Sequence, residues 1–271
     1  MDRKATPSLA LNEFFDTMRD QMKFCGYRPH TIKAYIRQVN SFLSFNHPSK
    51  INGITEQDIR DYLNHLVDKG LSRSTIDQAV KATEILYYEV FQKRLNLSGF
   101  KRPRKERLTP VLLTLDEVNK IAVSAKNPDH RLMIELAYSA GLRVSELVEV
   151  KVKNLNLERL ALIVPGLGGK NRTTVFSEHL RQTLIRQVGG KNADQYLFPS
   201  KRGGILTTRA VAKFFKKALT TSGLKKMATP HSLRQSFANT MLDQGTDPTA
   251  LQSILGRRTL NNLSSDSKKA A

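Results

Sequence analysis

At 271 residues the chain can hold two ordinary domains or one large one, and 39% apolar residues make it globular rather than disordered. Forty-four Lys and Arg against 24 Asp and Glu leave a formal charge of +20. That field draws polyanions, and counterion release turns the attraction to nucleic acid into affinity. A ribosome or an anionic membrane surface would suit the same charge. Membrane is the weaker setting, because no segment approaches the roughly 20 apolar residues that a spanning helix needs. Ser8-Leu9-Ala10-Leu11 is too short for a signal-peptide core. Cys25 is the only cysteine, which excludes an intrachain disulfide and cysteine-clustered zinc. Buried packing is its default role, and a reducing, cytoplasmic setting is expected.

From Ser8 to Phe45 the pattern predicts two amphipathic helices, with Leu11, Phe14, Phe15 and Met18, then Ile32, Tyr35, Ile36, Val39 and Leu43, at helical spacing. Thr55 before Glu56, Gln57 and Asp58 reads as an N-cap with acidic residues in the first turn. That helix continues through Ile59, Tyr62, Leu63 and Leu66 and stops near Gly70. A fourth starts at Ser72 or Ser74 and runs through Ile76, Val80, Ile85, Leu86 and Val90. Four helices without a strand signal predict an all-α domain over residues 1–97. Lys101-Arg102-Pro103-Arg104-Lys105-Glu106-Arg107 then breaks the helical pattern, and residues 98–110 read as a basic linker. Such a run is either a solvated connector or a strap along a phosphate backbone.

Beyond it the chain mixes types. Helical patterns cover about Leu115 to Val123, Arg131 to Tyr138 and Val144 to Val150. A hairpin follows, Leu160 to Pro165 and Arg172 to Ser177 around a Gly-rich turn. Helices return near Glu178 to Val188, Thr207 to Leu219, Pro230 to Leu242 and Pro248 to Leu255. Helices around one short antiparallel sheet predict a mixed α+β domain over residues 111–260, and the polar stretch 261–271 is expected to fray.

Three segments can carry chemistry. In Thr229-Pro230-His231-Ser232-Leu233-Arg234, Thr229 is a good N-cap and Pro230 suits the first helical position. His231 and Arg234 then share a face of the first turn, beside free N–H groups that favour a phosphate; surface polarity is the plain alternative. In Tyr138-Ser139-Ala140-Gly141-Leu142-Arg143-Val144-Ser145-Glu146-Leu147, Arg143 opens a helix at a junction that holds it fixed, as a bidentate phosphate clamp requires. The alternative is an ion pair with Glu146, three residues on. The turn Gly166-Leu167-Gly168-Gly169-Lys170-Asn171-Arg172 is not a phosphate-binding P-loop, since Val164 stands where that motif needs glycine and Asn171 where it needs Ser or Thr. Lys170 at its tip can still reach a groove.

Together these segments resemble the tyrosine site-specific recombinases, closest to the Xer and integron-integrase branch. The similarity rests on Ala140 to Leu147, Gly168-Gly169-Lys170-Asn171-Arg172-Thr173, Gln195-Tyr196-Leu197-Phe198-Pro199-Ser200, Pro230-His231-Ser232-Leu233-Arg234 and Leu251-Gln252-Ser253-Ile254-Leu255-Gly256. It extends over nearly the whole chain, to about Leu260. The resemblance implies an N-terminal four-helix, SAM-like core-binding domain and a C-terminal mixed α+β catalytic-type domain with a small antiparallel sheet. It implies double-stranded DNA as partner, at the nucleoid, and a homo-oligomer on DNA or an intact recombinase as a possible protein partner. It further implies attack by a tyrosine on a phosphodiester without metal or other cofactor, the transition state being braced by two arginines and a histidine. Arg143, His231 and Arg234 match those positions, and Lys101, Arg102, Arg104, Lys105, Arg107 and Arg172 would add backbone contacts.

Three positions depart from the family pattern. Leu167 stands where the catalytic lysine is usual, so Lys170 would have to serve from the turn. Arg257 stands where His or Trp is expected, and can still donate to a phosphate oxygen. Nine residues further the tyrosine position holds Asp266, and no tyrosine follows Tyr196. A carboxylate beside a phosphate is repelled rather than reactive. The expectation is a DNA binder of this family that does not cleave, either degenerate, truncated or frameshifted. The alternatives are an active recombinase whose C-terminus lies outside this sequence, and a non-enzymatic accessory or inhibitory protein.

Overall fold

The computed structural model describes residues 9–46, 53–104, 109–165 and 171–256. It divides into two compact units, Met1–Leu108 and Thr109–Ala271. The described residues of the first form four α-helices: α1 (Leu9–Phe24), α2 (Pro29–Asn46), α3 (Glu56–Asp68) and α4 (Arg73–Phe91). Local chemistry sets their ends. Thr55 and Asp58 form a reciprocal capping box at the start of α3, and the Ser72 hydroxyl accepts from the Thr75 N–H at the start of α4. Helix α2 packs on α1, α3 and α4. Between them Met18, Val39, Phe42, Ile59, Tyr62, Leu63, Ile76 and Leu86 are buried, with Phe42 edge-on to Tyr62 at 5.4 Å between ring centroids.

Cys25 does not pack in this core. It stands exposed in the turn after α1, beyond the helix end at Phe24. The start of the basic run is held against α4. Arg73 donates to the Pro103 carbonyl at 2.7 Å, and Arg102 lies 3.7 Å from the Asp77 carboxylate. Lys105 and Arg107 fall outside the described residues.

The second unit runs α5 (Leu115–Val123), α6 (Pro128–Ser139), α7 (Val144–Glu149), β1 (Leu155–Asn156), β2 (Ala161–Val164), β3 (Arg172–Val175), α8 (Arg181–Val188), α9 (Thr208–Thr221), α10 (Pro230–Asp243) and α11 (Pro248–Leu255). Its antiparallel sheet has the order β1-β2-β3, with Leu162 opposite Thr174 and Val164 opposite Arg172. The period of two turns Leu162, Val164 and Thr174 inward and leaves Ile163 and Val175 exposed. Arg172 therefore projects from the sheet's buried face. Strand β1 escapes sequence reading because two residues cannot display an alternation. Helix α6 starts at Pro128 rather than Arg131, because the Asn127 side chain caps the Asp129 N–H and Pro128 suits the first position.

His130 in α6 stacks on Phe214 of α9, with 4.0 Å between centroids and 5° between planes. Burial lowers its pKa from the ordinary 6.5; Lys201 acts the same way, and Asp129 opposes both. The folded state thus prefers the neutral ring. Its contribution to stability is complete above pH 6.5 and is lost as pH falls from there through the lower folded-state value. Between pH 8 and 5 the wild type should lose more melting temperature than His130→Phe. Parallel profiles for the two proteins would refute this.

A candidate phosphate site built around one carboxylate

Helix α6 ends where Gly141 takes a left-handed conformation, φ +57°, and the Leu142 N–H closes the turn on the Ala137 carbonyl at 3.0 Å. A side chain here would be strained and obstructed, since an added Cβ would lie 2.5 Å from the Phe237 ring. The reversal delivers Arg143 to the N-cap of α7. Thr174 of β3 donates to the Ala140 carbonyl at 2.9 Å, tying the sheet to the same turn.

Glu146, three residues into α7, is the hub. Its Oε2 accepts from the Arg143 backbone N–H and its Oε1 from Arg143 Nη1, both at 2.7 Å. Arg172 grips both oxygens, Nη1 to Oε1 at 2.7 Å and Nη2 to Oε2 at 3.0 Å. Arg234 Nη1 of α10 reaches Oε2 at 3.5 Å and the Gly141 carbonyl at 2.6 Å. Burial pushes the Glu146 carboxyl up, but the hydrogen bonds from Arg172 and from the Arg143 N–H, with the nearby charges, outweigh it. The net result lies below the ordinary 4.5.

The same guanidiniums close the end of α11. Arg172 Nε donates to the Ile254 carbonyl at 2.7 Å, Arg234 Nη2 to the Leu255 carbonyl, and Arg143 Nη2 to the Gly256 carbonyl at 3.4 Å. A helix leaves its last carbonyls without intrahelical partners and carries partial negative charge there, so three cations suit that end.

The sequence-derived residues thus divide. Arg143, Arg172 and Arg234 converge, and the ion pair between Arg143 and Glu146, held open as an alternative above, is present. Arg143 keeps 41% of its side chain exposed, whereas Arg172 keeps 11% and Arg234 none. Arg234 is fully buried, with its guanidinium on the Glu146 carboxylate and the Gly141 and Leu255 carbonyls. His231 is exposed and Arg234 is buried, both in the first turn of α10. Lys101, Arg102 and Arg104 are exposed on the first unit. Leu167, Lys170, Arg257 and Asp266 lie outside the described residues. Sequence reading missed two features: Glu146 as the common acceptor and Arg172 as an inward residue. The first was foreshadowed by the spacing of Arg143 and Glu146. The second follows only from pairing β3 with β2. Among the described residues no group of His, Cys, Asp and Glu could hold a metal ion, and no helix is long and apolar enough to cross a membrane.

A four-helix SAM-like unit, followed by a mixed unit whose arginines from a turn, a strand and a helix gather beneath a small antiparallel sheet, defines an integrase-type architecture. The chain belongs to the phage integrase family: residues 112–265 match the model of that family, and residues 14–97 match its N-terminal SAM-like domain. The tyrosine recombinase XerC of Staphylococcus saprophyticus is 30% identical over 253 residues, covering 87% of this chain and 85% of its own. The crystal structure of XerA recombinase matches with 27% identity and a TM-score of 0.53, over 93% of this chain and 91% of that one. A lambda integrase dimer bound to a COC' core site shares the fold, with a TM-score of 0.75 and 21% identity over 99% of this chain and 83% of that one.

Proposed function

We propose that this chain binds duplex DNA in site-specific recombination or integration and, with the sequence given, holds a phosphodiester without cutting it. The observation that carries this reading is the arginine cluster. Three guanidiniums share one carboxylate, so the group retains positive charge for an external anion, and Arg143 is the member with surface to offer it. Arg143 makes the direct contact, His231 lies at the exposed start of α10, and Arg234 adds its charge from beneath, where low dielectric strengthens it. No metal is required for this binding. Asp266 in place of tyrosine, and Leu167 in place of lysine, remove the nucleophile and a proton donor.

Wider contacts come from cationic helix faces. Helix α9 carries Arg209, Lys213, Lys216 and Lys217, all exposed, and no acidic residue. Helix α2 likewise exposes His30, Lys33 and Arg37 without a carboxylate. Lys101, Arg102 and Arg104 add a strap, with Arg102 partly offset by Asp77. The partner is double-stranded DNA, with further copies of this chain or an intact recombinase assembled on it.

The test begins with a duplex selected by the wild-type chain from a random-sequence pool. Affinity should fall steeply with salt. Replacing Arg209, Lys213 and Lys216 together by Gln should flatten the slope of log affinity against log salt by up to about 3 units, at roughly 0.9 per phosphate contact. An unchanged slope would remove α9 from the interface. A nicked suicide version of the duplex should yield no covalent adduct, and an adduct would overturn the non-cleaving reading.

A further inference from the structure

We infer that Arg172 is a positioning residue for the phosphate site, acting on Arg143 through Glu146; this rests on reading Arg143 as the phosphate contact. Its own surface is too small for that contact, with 11% of the side chain exposed. Three N–H groups are already engaged, two on the Glu146 oxygens and one on the Ile254 carbonyl. The fork fixes the plane of the carboxylate, as a point-charge ammonium could not. That carboxylate in turn holds both the backbone and the guanidinium of Arg143 at 2.7 Å.

Charge matters as much as geometry. Without Arg172, Glu146 would be shared only by Arg143 and, at 3.5 Å, by Arg234, and more of the charge of Arg143 would be compensated by the carboxylate. Arg172 satisfies the carboxylate from the interior and leaves Arg143 with charge to spend on an outside anion. The fold reserves space for this strut. Arg172 sits opposite Val164 on the sheet's inward face, and an added Cβ at Gly256 would come within 2.9 Å of its Cδ. Gly256 is thereby both the left-handed end of α11 and the slot that Arg172 fills.

The experiment scans the selected duplex with single methylphosphonates, each of which removes one phosphate charge. In the wild type one position should stand out, with affinity falling about tenfold or more, as for a charge-assisted hydrogen bond. Arg143→Ala should be insensitive at that position. Arg172→Met and Arg172→Lys should each reduce the position-specific factor at least threefold, roughly, while the salt dependence due to α9 persists. Arg143→Ala combined with Arg172→Met should lose no more of that factor than Arg143→Ala alone. If Arg172→Met does not fold, Arg172→Lys, which keeps the charge, decides the matter. A wild-type factor in the Arg172 variants, with Arg143→Ala insensitive, would overturn the positioning role alone. A factor that survives in Arg143→Ala would overturn the phosphate reading and this inference with it.

Discussion

Replacing Glu146 by Gln should destabilise the second unit by about 3–5 kcal/mol, the range for removing one partner of a buried ion pair. The carboxylate is 12% exposed and holds together Arg143, Arg172 and Arg234. An amide would turn an N–H toward one of these cations and leave the three charges to repel one another. Urea unfolding of the full chain would measure the loss, and a change below about 1 kcal/mol would contradict the hub assignment. The substitution should also alter the acid limb. The folded-state pKa of Glu146 is lowered, so its contribution is present above the ordinary 4.5 and disappears as pH falls through the lower folded value. The Gln variant should lack that component of acid sensitivity.

The second large effect is expected at Gly141→Ala. A Cβ there would lie 2.5 and 2.7 Å from two atoms of the Phe237 ring, with φ at +57°. Overpacking costs about 1–3 kcal/mol and a left-handed L-residue about 1–2, so a combined loss of about 2–5 kcal/mol is expected. The Gly141 carbonyl also receives Arg234, so DNA affinity should fall along with stability. Adding Phe237→Leu should recover the steric share and leave the backbone share. Strict additivity of the two substitutions would show that the ring contact is not the source of the loss.

Most elements were legible from periodicity and caps. The cap at Thr55, the proline starts of α10 and α11, and the Gly141 reversal are local devices whose hydrogen-bond partners lie within five residues. The site was legible as residue types in order. Its wiring was not. Residues 146, 172, 234 and 254–256 are remote in sequence, and no helical or strand period links them. The inward direction of Arg172 depends on which strand pairs with β3. The burial of Arg234 depends on α11 lying across it, where Leu255 supplies the acceptor. The exposed Cys25 was misjudged because composition ranks cysteine as a core residue, while its position past the end of α1 outweighs that preference.

By itself the amino-acid sequence determined the two-part organisation, the excess of positive charge and the presence of Arg143, His231 and Arg234 in family order, since these follow from local periodicity and residue identity. Tertiary structure alone decided that three arginines would share one carboxylate, that only Arg143 of the three would remain well exposed, and that the end of α11 would lie on all of them. Hydrogen-bond geometry and burial are properties of segments brought together by packing, and they arise only when the core has closed.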